Sequence, residues 1–342
     1  MKKSVLTRVV VLLIPLFAGL GQALADEVNL YSARKEALIK PLLDQFTEQA
    51  GIKVNLVTAS ADALLARLKS EAKLTPADVF ITVDAGRLYR AKAADLFQPI
   101  DSAVLNSAIP QQYRDPDGTW YGLSLRARPI MYVKGKLDPA ALTRYEGLSD
   151  ASWKGRVCIR SSSNIYNQSL VASMIAANGE EETEQWARGL VANLGRSPTG
   201  GDRDQIMAAA AGQCDIAVAN TYYLATMLTD QKDDAQRMAA EKMAIIWPNQ
   251  ADRGTHVNVS GAGVIKYSKN RENAIKLLEF LAGDASQKWY ADVNHEYPVK
   301  AGVEISDTLK AFGEFKVDSV NLATLGEYNA AAVKTMDRAG WR

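Results

Sequence analysis

From Val28 to Leu96 short strand-like and helix-like segments alternate, and that rhythm limits the chain to an α/β architecture. Val28–Tyr31 alternates like a strand, and Glu36–Ala50 reads as an amphipathic helix with Leu38, Leu42, Leu43 and Phe46 on one face. Pro41 falls in its first turns and is expected to shorten or kink it. Ile52–Val57 is a second strand, and Ala61–Ala72 a second helix with Leu64, Leu65 and Leu68 inward. Asp78–Val83 is a third strand, with a helix running on to about Leu96. Units this short predict a lobe with a mainly parallel sheet.

A different pattern follows. Trp120–Val133 is one long extended run, suited to crossing from one lobe to another. A second α/β set comes after it. Its strands are expected at Lys154–Ile159, Asp215–Ala219 and Met243–Trp247, and its helices at Asn167–Ala177, Glu181–Leu194 and Gln205–Gly212. Pro248 is placed to begin a second crossing, and Asn258–Ile265 is strand-like again. Ala274–Ala282, Ser286–Val293 and the tail from Ala323 read as helices. The whole describes two α/β lobes joined by hinge strands, with residues 26–125 and 251–300 in the first lobe and 126–250 and 301–342 in the second.

The first 25 residues read as an export signal. Lys2, Lys3 and Arg8 form a basic start, Val9–Leu20 a short apolar stretch interrupted by Pro15, and Ala23-Leu-Ala25 a cleavage site. The expected location is therefore the periplasm. Without those three cations the formal net charge goes from +1 to −2, which gives no support to nucleic-acid binding. Cys158 and Cys214 are the only cysteines, and an oxidising compartment favours a bridge between them, with two buried thiols as the alternative. Two cysteines and two histidines without ligand spacing build no zinc site. No Gly-x-Ser-x-Gly elbow and no Ser-His-Asp set is apparent, so a hydrolase is not expected.

Three phenols carry the chemistry. Tyr222 and Tyr223 stand together after the Asp215–Ala219 strand, and Tyr166 lies in Ser161-Ser-Ser-Asn-Ile-Tyr-Asn-Gln168. Tyr31–Arg34, Asp84, Ser161–Tyr166 and Tyr222–Tyr223 follow predicted strands, where open α/β sheets place their ligands. Converging phenols form a hard oxygen site suited to Fe³⁺. A phenol ionises near pH ~10, so three phenolates near neutrality need a strong cation beside them. A planar oxyanion completing the shell would match an arginine fork.

Leu30-Tyr-Ser-Ala-Arg34, Ala77-Asp-Val-Phe80, Arg126-Ala-Arg128, Ser161–Gln168, Gly200-Gly-Asp-Arg203, Asn220-Thr-Tyr-Tyr223 and His295-Glu-Tyr-Pro-Val299 extend the case along the chain. On these residues the chain resembles the periplasmic ferric-ion-binding proteins of bacterial iron ABC transporters. The resemblance implies a type II periplasmic-binding-protein clamshell, monomeric, that hands ferric iron to an inner-membrane permease and its ATPase. It places the metal ligands on Tyr166, Tyr222 and Tyr223, the binding of a carbonate or bicarbonate on Arg34 as its holder and on Arg126 beside it, and a supporting role on Arg128. The histidine, carboxylate or fourth tyrosine of some relatives would fall near Lys35, Glu36 and Asp84; Lys35 is no ligand and Glu36 stands where one subgroup has tyrosine, which implies the tyrosine-only subgroup. Asp84 is expected to cap the helix after it rather than ligate, Glu36 to be a first-turn carboxylate, and His256 and His295 to stay outside the metal shell. Gly200-Gly201 is read as a turn before the Gln205 helix. The alternative is a protein of the same fold that binds another small solute: an oxyanion, a sugar or a polyamine.

Overall fold

The computed structural model describes residues 26–342, so the expected export signal lies outside the described residues. The structure is mixed α/β with two sheets. Its strands are β1 (Glu27–Ser32), β2 (Lys53–Thr58), β3 (Val79–Val83), β4 (Tyr121–Ala127), β5 (Ile130–Val133), β6 (Val157–Cys158), β7 (Ile216–Val218), β8 (Met243–Ile246), β9 (Val257–Val264) and β10 (Tyr297–Pro298). One sheet has the order β10-β4-β9-β3-β1-β2 and the other β6-β7-β5-β8.

The expected mainly parallel sheet is corrected to a mixed one. β1 pairs in parallel with β2 and β3, but β3–β9, β4–β9 and β4–β10 are antiparallel. The cause is the route of the chain. β4 leaves the first sheet toward the second at Ala127, and β9 comes back along it in the opposite direction, from Val257↔Ala127 to Ala262↔Tyr121.

The long Trp120–Val133 run is two strands in two sheets, because Arg128 and Pro129 interrupt it. Arg128 N–H donates to His256 O at 3.1 Å, the last rung of the first sheet, and Pro129 has no N–H to continue the ladder. The Tyr145 hydroxyl ties the outgoing and returning chains. It donates to Arg128 O at 2.6 Å and accepts from His256 N at 3.2 Å.

Helices cover the sheets much as their apolar spacing predicts. In Lys40–Ala50, Leu42, Leu43 and Phe46 are buried, and Gly51 ends the helix at φ 68°. Pro41 does shorten this segment: Glu36–Leu38 is a separate 3-10 turn and the α-helix begins at Lys40. Ser60 caps Ala61–Glu71, accepting from Ala63 N–H. The expected Lys154–Ile159 strand contracts to the two residues of β6. A helix that the pattern hides, Thr221–Thr229, follows β7.

The tail from Ala323 forms two helices, Ala323–Glu327 and Asn329–Arg338. The first packs on Ala85–Ala93 from the six-stranded sheet's side, the second on Ile165–Asn178 and Glu180–Ala192. A Cβ on Gly326 would come within 2.1 Å of Tyr89 Cβ, so only glycine allows this approach. Cys158 and Cys214 are bridged, with Cα atoms 5.8 Å apart, and close a loop 56 residues apart in sequence. Among the described residues no helix is long and apolar enough to cross a membrane.

Candidate metal centre

Two helix N-termini deliver the three phenols. Tyr166 is the second residue of Ile165–Asn178, whose cap Asn164 accepts from Tyr166 N–H at 3.2 Å. Tyr222 and Tyr223 are the second and third residues of Thr221–Thr229. Their ring centroids are 4.2 Å apart. All three side chains are partly buried. The partial positive charge of a helix N-terminus favours an anion there, which suits a phenolate.

Arg128 holds the two helices in register. One terminal nitrogen donates to Asn220 Oδ1 at 2.8 Å and to Asp202 Oδ1 at 2.9 Å, and the other to Asn167 Oδ1 at 2.6 Å. Asn220 stands at the cap position of Thr221–Thr229 but makes no side-chain cap bond, because its oxygen serves Arg128 instead. Asp202 also receives Arg160 Nη1 at 2.7 Å, and the Arg160 guanidinium lies 6.0 Å from the Tyr166 ring centre.

A matching cluster sits on the six-stranded sheet. Arg34 forks onto Glu296, Nη1 to Oε2 at 3.1 Å and Nη2 to Oε1 at 3.2 Å, and its Nη1 also donates to Ser260 Oγ at 2.6 Å. Arg126 Nη2 donates to Glu296 Oε1 at 3.3 Å, and the Ser124 hydroxyl donates to Oε2. The Arg126 guanidinium lies 5.3 Å from the Tyr222 ring centre and 6.0 Å from that of Tyr166. Its Nε and Nη1 are buried without a partner among the described residues.

Burial and charge at the phenols both bear on how they ionise. Burial and then the neighbouring phenols of Tyr166 and Tyr223 push Tyr222 well above the ordinary phenol range, against the pull of Arg126. Burial, then Tyr166 and Asp202, push Tyr223 up to about 12. Both phenols are therefore neutral near pH 7 unless a cation draws off the proton. Burial works against the charge of Arg126, but the Glu296 carboxylate outweighs it and keeps the guanidinium protonated. Burial likewise opposes the Glu296 carboxylate, and Arg34 and Arg126 overcome this, lowering it to about 2.

Asp84 caps Ala85–Ala93, accepting from Gly86 N–H at 2.9 Å, Ser169 Oγ at 2.7 Å and Asn258 Nδ2 at 2.8 Å. Lys35 and Glu36 are exposed, with Glu36 opening the short 3-10 turn. His256 is buried and held neutral, down to about 3, by burial and then by Arg128 and Arg253. His295 Nε2 meets Thr229 Oγ1 at 3.1 Å. The Gly200-Gly201 turn precedes a helix that starts at Asp202, three residues earlier than expected, with the Asp204 carboxylate accepting from Gly201 N–H. Sequence reasoning passed over Glu296, Asp202 and Arg160 as individual residues. The first two were visible only as members of the His295–Val299 and Gly200–Arg203 motifs.

The model of a bacterial extracellular solute-binding protein family matches residues 75–317. The chain belongs to that family. It is 50% identical over 317 residues to iron uptake protein A1 of Synechocystis, covering 93% of this chain and 88% of that one. It is 29% identical to the Fe(3+)-binding periplasmic protein of Serratia marcescens, over 94% of this chain and 93% of that one. Among solved structures, the Trichodesmium FutA protein in complex with iron and citrate ligands superposes with a TM-score of 0.90 at 51% identity, over 92% of this chain and all of that one. The ferric binding protein of Campylobacter jejuni gives a TM-score of 0.87 at 40% identity, over 92% of this chain and all of that one. The fold is thus the two-lobed architecture of periplasmic ferric-binding proteins. The family is one of solute transport rather than catalysis.

Proposed function

We propose that this protein captures ferric iron in the periplasm and delivers it to an inner-membrane ABC permease and its ATPase, with Tyr166, Tyr222 and Tyr223 as the protein ligands. The observation that carries this reading is the meeting of three phenols at two helix N-termini, both tied to Arg128. Relatives named for iron uptake, similar over nearly the whole chain, support it. Three phenolates neutralise Fe³⁺, and their ionisation is driven by the metal. The remaining coordination positions are taken by an exogenous oxyanion such as carbonate, which two guanidinium-bearing clusters face. Iron enters an open site on the tyrosine lobe, and the arginines of the other lobe engage as the lobes close. The protein acts as a monomer after removal of residues 1–25.

Metal analysis and ferric titration of the purified protein test the reading. One equivalent of ferric iron should bind with a phenolate-to-iron charge-transfer colour. Tyr222→Phe with Tyr223→Phe should abolish both colour and binding while leaving the circular dichroism spectrum unchanged. A double variant that binds ferric iron as the wild type does refutes the assignment.

A further inference from the structure

Two clusters of the same composition flank the phenols, each with two arginines sharing one buried carboxylate. On the tyrosine lobe Arg128 and Arg160 share Asp202. On the other lobe Arg34 and Arg126 share Glu296. In the second cluster the sharing is unequal. Arg34 has both terminal nitrogens occupied by Glu296, with Ser260 as a further acceptor. Arg126 has one long contact at 3.3 Å, and among the described residues its Nε and Nη1 have no partner. Arg126 is more than nine-tenths buried, so leaving those donors unpaired is costly. Its guanidinium is also the one that lies against Tyr222 and Tyr166, whereas that of Arg34 lies 5.5 Å from the ring centre of Tyr290.

We infer that Glu296 is a positioning residue that decides which arginine, and how much positive charge, the first lobe offers to the anion accompanying the metal. It retains Arg34 with both oxygens and leaves an edge of Arg126 free to fork onto a planar oxyanion of the carboxylate or carbonate class. The pair Arg34–Glu296 is then electrically closed, and one unit of positive charge remains, on Arg126. The carboxylate is fixed for this task by four donors from three separated stretches of chain: Arg34, Ser124, Arg126 and Ser260. The residue before it, His295, reaches Thr229 at the far end of the helix that begins with Tyr222 and Tyr223, so one short loop touches both the arginines and the tyrosine helix.

The inference rests on the ferric reading for its purpose, but it can be measured without iron. Iron-free protein is titrated with bicarbonate near neutral pH and its thermal midpoint is followed. The ferric form is titrated in parallel, with the charge-transfer band as the readout. Glu296→Gln, close in shape to the native side chain, should lower the bicarbonate concentration for half-maximal stabilisation by roughly tenfold, because a unit of positive charge a few ångströms away is no longer compensated. The colour should survive, since no phenol has changed. Arg126→Gln should raise the same concentration by about tenfold, and Arg34→Gln should raise it less. An unchanged bicarbonate response in Glu296→Gln, or a larger loss in Arg34→Gln than in Arg126→Gln, overturns the inference. Should Glu296→Gln fail to fold, the order of the two arginine variants decides. A wild-type protein that gives no colour with ferric iron counts against the ferric reading alone, and the iron-free bicarbonate response still judges Glu296.

Discussion

Arg128→Met removes a side chain that hydrogen-bonds at the start of both tyrosine-bearing helices, and its cost can be worked from the contacts. The guanidinium is 1% exposed and the Asp202 carboxylate fully buried. Breaking a buried ion pair from one side costs about 3–5 kcal/mol. Asp202 keeps Arg160, at 2.7 Å, which places this term at the low end of the range. Three further acceptors, Asn167 Oδ1, Asn220 Oδ1 and Val218 O, lose a buried donor, and each unsatisfied group adds about 1 kcal/mol or more. Methionine regains part of this by packing its stem. The net expectation is a loss of about 4 kcal/mol, seen in calorimetry as a fall in melting temperature on the order of 10 °C. Arg160→Met is the control. It is partly exposed and meets only Asp202 among carboxylates, so its loss should stay near ~1 kcal/mol. Ferric titration of Arg128→Met should show the colour retained and the affinity reduced at least about tenfold, because Tyr166 is no longer held in register with Tyr222 and Tyr223. Equal melting temperatures for Arg128→Met and Arg160→Met, or undiminished affinity in Arg128→Met, would refute the argument that Arg128 sets the geometry.

Other expectations come from the same contacts. Replacing Cys158 and Cys214 together by Ala should cost about 4 kcal/mol for a loop of 56 residues, and equal denaturant midpoints with and without reductant would contradict this. Glu296 is depressed from 4.5 to about 2, so its contribution of roughly 3 kcal/mol is present above pH ~4.5 and lost as the pH falls toward ~2; Glu296→Gln should flatten the stability curve in that window. His256 is depressed from 6.5 to about 3, so the unfolded chain binds a proton that the folded one refuses, and stability should rise with pH between ~3 and ~6.5. His256→Gln should remove most of that slope in acid-titrated melting curves. Iron binding must displace the raised phenolic protons of Tyr222 and Tyr223, so ferric affinity should fall steeply as pH is lowered, and a flat pH profile would argue against phenolate ligation.

The parts of this molecule that announced themselves in sequence are those whose signal is local. Leu42, Leu43 and Phe46 recur at helical spacing and are buried together. Asp84 sits where a cap belongs and accepts Gly86 N–H. The Tyr222-Tyr223 pair after an apolar strand marked the site without showing its support. The helix bearing it, Thr221–Thr229, is too uniformly apolar to display a polar face, so periodicity does not reveal it. Strand direction was equally hidden. Whether β9 runs with or against β3 depends on where the chain re-enters the sheet, some 170 residues later, and not on any residue in β9.

Buried charge was the hardest feature to read, for a physical reason. Asp202 and Glu296 lie in loop-like, polar stretches, and carboxylates in such stretches are normally solvated. Their burial is tolerable only because arginines arrive from elsewhere: Arg128 from 74 positions away, and Arg34 from 262. A sequence shows the arginines and the carboxylates separately, and so assigns each arginine its own task. Folding brings in a second consideration, that of which charges are already neutralised. Arg34, Arg128 and Arg160 each meet a carboxylate at 3.1 Å or less, Arg126 keeps only a 3.3 Å contact, and Arg126 and Arg160 both approach the Tyr166 ring centre at 6.0 Å. The charge available to an incoming metal–anion pair is therefore set less by the number of arginines than by the two acids that divide them.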